Sequence, residues 1–226
     1  MGPLRLLMVP GLGLGPEDWQ PTIGALVRAG VGRDRLTVAT LSGYGEPVRV
    51  DDPVDPRGAA GRLVEAWIRP GRRVGLLGHS SSCQVVAHAA SLLPEQVVGL
   101  VLVGPTTDPR AATWPRLARR LLATAVRETP RQVPSLTRQY RRTGLRNMLR
   151  VMGVTRHDSL AATLTKLRCP VRVLRGTHDR IAPADWCASL APSLTVAGGA
   201  HMVPMTHGEL VAHEIRRFAD EVPDLP

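Results

Sequence analysis

The stretch Val74-Gly75-Leu76-Leu77-Gly78-His79-Ser80-Ser81-Ser82-Cys83-Gln84-Val85-Val86 joins a short apolar run to a helical pattern across a turn bounded by small residues. A strand that turns this sharply into a helix lifts the apex residue, Ser80, above the sheet. The N–H of the next residue, at the helix N-terminus, is then placed to bind developing negative charge. Such a turn is crowded, and Gly78 and Ser82 are small enough for it. The same serines would also serve as an ordinary helix cap; what separates the two roles lies elsewhere in the chain.

On either side, Leu/Val and β-branched runs alternate with helical spacing, the pattern of βαβ units winding a parallel sheet. The expected strands are Leu4 to Val9, Arg35 to Ala39, Arg73 to Leu77, Val97 to Val103, Val171 to Arg175 and Leu194 to Val196. Several are apolar throughout, as strands covered on both faces should be. Helical spacing falls over Pro21 to Ala29, Pro56 to Ile68, Ser81 to Leu93, Pro183 to Leu190 and Gly208 to Phe218, with Pro94 closing the third. Gly43 to Pro56 reads as the clearest long loop. A chain of 226 residues, 43% hydrophobic and 21% charged, fits one α/β domain and excludes disordered and fibrous classes.

The rhythm breaks between Pro105 and Cys169, where helical stretches occur without a convincing strand. Residues 105–168 are therefore expected to form a helical cap inserted into a core of residues 1–104 and 169–226. Within it Leu117, Leu121, Leu122 and Val126 share one helix face, with Arg116, Arg119, Arg120 and Arg127 mostly opposite. Between Arg110 and Arg150 eleven arginines stand against a single acid, Glu128, a segment charge equal to the +10 of the whole chain. Few aromatics and no recognisable nucleic-acid motif argue against a nucleic-acid partner. Solvated helix faces account for the charge, with docking of an anionic partner as the functional alternative.

No apolar run approaches the roughly 20 residues that span a bilayer, so no membrane helix is expected. The N-terminus runs into a strand-like segment without a leader pattern. Cys83, Cys169 and Cys187 have no C-x-x-C spacing, so neither a disulfide framework nor a zinc site is expected, and a reducing cytoplasm fits.

Two further loops give Ser80 its company. Val171-Arg172-Val173-Leu174-Arg175-Gly176-Thr177-His178-Asp179 brings an acid to the carboxyl end of a strand, and Val196-Ala197-Gly198-Gly199-Ala200-His201 puts a histidine in a glycine-loosened loop after the last strand. Serine, acid and histidine in that order, each after a different parallel strand, make a nucleophile, an orienting carboxylate and a base. Asp108 is a rival acid after Val97 to Val103. His79, His88 and His207 lack the strand-then-loop context of His201.

Taken together these segments resemble the α/β-hydrolase family over nearly the whole chain. Gly78-His79-Ser80 is similar to its nucleophile elbow, although Ser82 stands where the G-x-S-x-G pattern has its second glycine. Arg175 to Asp179 followed by Pro183 resembles its acid loop, and Gly199-Ala200-His201 its histidine loop. Val9-Pro10-Gly11-Leu12-Gly13 resembles the loop after its third strand, with Pro10 replacing the usual histidine. The resemblance implies six parallel strands in spatial order 2-1-3-4-5-6, the family's first two strands being absent. It also implies an oxyanion hole from the N–H groups of Leu12 and Ser81, and a cap whose Trp114, Tyr140, Met148 and Met152 are candidate pocket residues.

The implied reaction is hydrolysis of a carboxylic ester or thioester of a small-molecule acyl substrate through an acyl-enzyme on Ser80, with no metal or organic cofactor. On the same residues the family also supports cofactor-free lyase or carbon–carbon bond cleavage, and a non-catalytic ligand-binding protein is the reading outside enzymes. The arginine-rich cap adds one partner expectation, an anionic acyl carrier such as coenzyme A or acyl carrier protein.

Overall fold

In the computed structural model, which describes residues 5–49 and 51–222, helices and strands alternate as the apolar spacing requires. The chain opens with β1 (Arg5–Val9), α1 (Gln20–Arg28), β2 (Leu36–Val38) and a short pair, β3 (Leu41–Ser42) and β4 (Gly45–Glu46). It continues through α2 (Pro56–Trp67), β5 (Val74–His79), α3 (Ser82–Leu92) and β6 (Val97–Val103). Then come α4 (Trp114–Ala125), α5 (Val133–Thr143), α6 (Leu145–Thr155) and α7 (Leu160–Leu164). The last unit is β7 (Val171–Gly176), α8 (Ala184–Leu190), β8 (Ser193–Val196), α9 (Val203–Thr206) and α10 (Gly208–Glu221).

The main sheet has the order β2-β1-β5-β6-β7-β8 with every neighbouring pair parallel, which is the winding expected. The expected strands appear with their ends moved by a residue or two; Leu4 lies outside the described residues, as does Val50 in the expected loop. Every residue of β5 and β6 is buried, because helices cover both faces. Along β1 the alternation of a pleated strand sends Leu7 and Val9 into one core layer, with Leu76, Val85 and Leu100, and Leu6 and Met8 into the other, with Ile23, Leu26, Ile215 and Phe218. Among the described residues no helix is long and apolar enough to cross a membrane.

Helix α4 uses its faces differently from its apolar spacing. Leu117 is buried, but Leu121, Leu122 and Val126 are 46%, 69% and 79% exposed. The face turned inward runs instead through Leu117, Arg120, Thr124 and, in the turn beyond the helix, Glu128. Arg120 donates to the buried carboxylate of Asp108 at 2.7 Å, and Thr124 Oγ1 accepts the Arg180 N–H at 3.0 Å. Polar contacts with the loops at the sheet edge, rather than apolar burial, orient this helix.

Candidate active site

The loops after β1, β5, β6, β7 and β8 all leave the carboxyl edge of the sheet, where a wound parallel sheet forms its crevice. Ser80, between β5 and α3, has a φ of 59° and is the non-glycine residue with positive φ among those described. The left-handed conformation costs an L-residue roughly 1–2 kcal/mol, and the packing around it holds the strain. Helix α3 comes so close to the end of β5 that a Cβ on Gly78 would lie 2.9 Å from the backbone of Cys83. Ser80 N–H donates to the Val103 carbonyl at 2.8 Å, fixing the turn to the end of β6.

Ser82, the departure from the glycine pattern, is fully buried and puts its hydroxyl to use. Its Oγ accepts the His79 N–H at 2.8 Å and lies 2.9 Å from the carbonyls of both Val9 and His79, to either of which it can donate. The side chain thus bridges the ends of β1 and β5, a net gain of about 1 kcal/mol per hydrogen bond.

Asp179 Oδ2 accepts the Nδ1–H of His201 at 2.8 Å, and Oδ1 accepts the N–H groups of Ile181 and Ala182 at 2.8 and 3.0 Å. The carboxylate can only accept, so Nδ1 carries the proton. Asp179 is completely buried. Burial alone would raise its pKa, but the His201 charge and hydrogen bond, with the two backbone donors, hold it below the ordinary value. For His201 burial works downward, and the Asp179 charge and hydrogen bond, helped by Glu128 and Asp18, carry its pKa above the ordinary value. Arg175 laces the acid loop through Nε to the Ala182 carbonyl and a terminal nitrogen to the Asp179 carbonyl, both at 2.9 Å. Asp108 stands elsewhere: Arg110 and Arg120 occupy its carboxylate and keep its pKa low against the effect of burial.

Gly104, directly after β6, forms the floor beneath the imidazole. A Cβ there would lie 3.0 Å from both Cε1 and Nδ1 of His201 and 3.2 Å from Asp179 Oδ2. Since Ser80 is pinned to Val103 and His201 stands on the next residue, serine and histidine share one corner of the sheet. Among the described residues Ser80 Oγ makes no hydrogen bond.

On the other side of Ser80, Gly11 N–H donates to Asp18 Oδ2 at 2.9 Å and Gly13 N–H to the Gly43 carbonyl at 2.8 Å, pinning the loop on both sides of Leu12. Among the described residues the N–H groups of Leu12 and Ser81 meet no protein acceptor. Tyr140 and Met148 stand over this loop; a Cβ on Gly13 would meet Met148 Cε at 2.7 Å and Tyr140 Cδ1 at 2.8 Å. The other two candidate pocket residues are placed differently. Trp114 is 40% exposed beneath the Arg156 guanidinium, 4.9 Å from the ring centre, and Met152, on α6, packs on the apolar core as Met148 also does but does not supply the atoms nearest Gly13.

Two acids to which the sequence reading gave no role complete the corner, the fully buried Asp18 and the partly buried Glu128. Asp18 Oδ2 also bonds His79 Nδ1 at 2.7 Å, and His79 Nε2 donates to the His201 carbonyl at 3.1 Å. Glu128 Oε1 accepts the N–H groups of His201 and Met202 at 2.7 and 3.0 Å. Asp18 gave no signal, being an ordinary acid before a tryptophan, while Glu128 is conspicuous as the lone acid among eleven arginines. Among the described residues no group of three or more His, Cys, Asp or Glu side chains is placed to hold a metal ion.

No curated protein matches the chain in sequence. The model of a family described as the alpha/beta hydrolase family matches residues 6–214. Among solved structures, a thermophilic esterase from Thermogutta terrifontis is 20% identical, with 98% of this chain and 90% of that one covered at a TM-score of 0.71. A hydrolase from Oleispira antarctica is 13% identical, with 96% and 91% covered at 0.73. A structure from work on carboxylesterases of the thaumarchaeon Nitrososphaera gargenis is 12% identical, with 97% and 90% covered at 0.73. A family match of that extent, joined to the same sheet winding in structures sharing so little sequence with it, makes the chain a member of the alpha/beta hydrolase family.

Proposed function

We propose that the protein is a serine hydrolase that cleaves a carboxylic ester or thioester of a small-molecule substrate through Ser80, His201 and Asp179. The observation that carries this reading is the 2.8 Å bond from His201 Nδ1 to a fully buried carboxylate, on a ring set over Gly104 beside the strained Ser80 turn. With Nδ1 protonated, Nε2 of the neutral ring is the base that takes the Ser80 proton as Oγ attacks the acyl carbon. Asp179 stabilises the imidazolium that forms, and the imidazolium then protonates the leaving alcohol or thiol. The N–H groups of Leu12 and Ser81 bind the tetrahedral oxyanion, each donor of this kind lowering the barrier by roughly 3 kcal/mol. Water repeats the sequence on the acyl-enzyme, releasing the acid and restoring Ser80.

Tyr140 and Met148, standing over the Leu12 loop, line the acyl pocket. Residues 105–168 act as the cap, on which the exposed Arg119, Arg127, Arg131, Arg141 and Arg146 would attract an anionic acyl carrier. The esterase and carboxylesterase descriptions of the similar structures agree with this class of reaction.

The test is fluorophosphonate labelling with peptide mapping, followed by a panel of p-nitrophenyl esters and acyl thioesters. Ser80 should carry the label, and Ser80→Ala should lower kcat by at least about 10³-fold with the fold retained. Undiminished turnover in that variant would remove the proposal.

A further inference from the structure

The single acid of the arginine-rich stretch is committed to backbone amides. Among the described residues Glu128 forms no ion pair with any of the eleven arginines around it in sequence. Its Oε1 receives the His201 and Met202 N–H groups at 2.7 and 3.0 Å, and Oε2 receives Gln132 Nε2 at 2.7 Å. Four residues earlier, buried Thr124 holds the N–H of Arg180, the residue after Asp179, at 3.0 Å. One helix end therefore grips the backbone of the histidine loop and of the acid loop. From the opposite side, the His201 carbonyl is held by His79 Nε2 at 3.1 Å. The His201 residue is clamped at its N–H by the helical insert and at its carbonyl by the elbow.

We propose that Glu128 is a positioning residue for His201: its grip on the two amide groups sets where the imidazole stands over Gly104 and makes that placement depend on the seating of α4. This inference rests on the hydrolase reading given above. A carboxylate receiving two backbone N–H groups is a charge-assisted and directional anchor, and small misplacements of a catalytic group are expensive in rate. Glu128 touches no reacting atom, so its influence falls on turnover rather than on substrate affinity. It also adds a negative charge near the ring. The charged or titratable groups facing His201 are Asp179 on Nδ1, Glu128 on the backbone side, Asp18 beyond His79, and His79 itself with ring centres 5.1 Å apart. Burial pushes the His201 pKa down, while Asp179, Glu128 and Asp18 push it up.

The experiment compares full-length wild type, Glu128→Ala, Glu128→Gln and Ser80→Ala on a p-nitrophenyl ester, with rates of the first three normalised to serine titrated by a fluorophosphonate and that of Ser80→Ala to total protein. Glu128→Ala should lower kcat per titrated serine by roughly 10- to 100-fold with KM within about twofold. Glu128→Gln keeps an acceptor oxygen for both amides and turns an amide nitrogen toward Gln132, whose Oε1 is buried without a partner. It should recover most of kcat. Because it lacks the charge, the acidic limb of its kcat/KM profile should move to lower pH.

A fold-only role for Glu128 would reduce the titratable fraction and leave kcat per site and the pH limb unchanged; that result overturns the proposal. So does a Glu128→Gln enzyme as slow as Glu128→Ala with the limb unmoved. If Glu128→Ala does not fold, the limb position in Glu128→Gln decides alone. Wild-type turnover in Ser80→Ala would instead sink the hydrolase reading itself.

Discussion

Replacing Gly104 by alanine tests the corner where His201 and Asp179 stand beside the Ser80 turn. Two costs follow from the geometry. The residue has a φ of 56°, in the left-handed region, where a side chain costs roughly 1–2 kcal/mol. In a domain of this size that lowers Tm by about 2–8 °C. The new Cβ would also sit 3.0 Å from two atoms of the His201 ring, so the imidazole must move by a few tenths of an ångström. With Asp179 Oδ2 only 3.2 Å from the same Cβ, that movement also strains the carboxylate bond. A misplacement of 1 Å costs about 100-fold in rate, so a shift of this size should lower kcat by about 10-fold, with KM little changed. Initial-rate kinetics per titrated serine and thermal unfolding on the same preparation read the two effects separately. A variant with the expected drop in Tm but kcat within about twofold of wild type would refute the placement of the working imidazole over residue 104.

The pH dependence has a definite sign. In the proposed mechanism His201 must be neutral to accept the Ser80 proton, and its pKa lies above the ordinary 6.5, so the acidic limb of kcat/KM should be centred above pH 6.5; a limb centred below it would count against His201 as the base. The pair also links stability to pH. The depressed Asp179 contributes stability above its unfolded value of about 3.8 that is lost as pH falls through its folded pKa. The raised His201 contributes stability below 6.5 that is lost as pH rises through its folded pKa. Urea midpoints should therefore be highest between these limits, and Asp179→Asn should flatten the profile. For the carrier, coenzyme A thioesters should react with a kcat/KM that falls with added salt, and Arg-to-Ala changes at residues 127 and 131 should weaken that dependence; kinetics insensitive to salt and to these changes would dismiss an anionic carrier.

Much of this architecture is legible because burial on both faces leaves a plain mark: β5 and β6 are apolar runs, and the sharp Gly78-to-Ser82 turn lies between one of them and a helix. Asp179 and His201 are legible because each follows a strand at the same sheet edge. Helix α4 is harder to read. Its apolar stripe of Leu121, Leu122 and Val126 suggests a buried face, but periodicity cannot tell that loop amides and a buried carboxylate wait on the other side. Asp18 and Glu128 escape for a related reason: their partners lie 61 and 73 residues away and are partly main-chain groups, which carry no side-chain signature. Ser82 is the opposite case, a departure from a glycine pattern that proves useful only when the carbonyls of Val9 and His79 are seen beside its hydroxyl.

The left-handed Ser80 has a further consequence. The sheet–helix junction that imposes this conformation forms during folding and is present before any ligand arrives, so raising the hydroxyl draws nothing from substrate binding. In the proposed mechanism, affinity for the acyl group is then free to discriminate among substrates, and changes in the surrounding helices can retune that choice without disturbing the Ser80 turn.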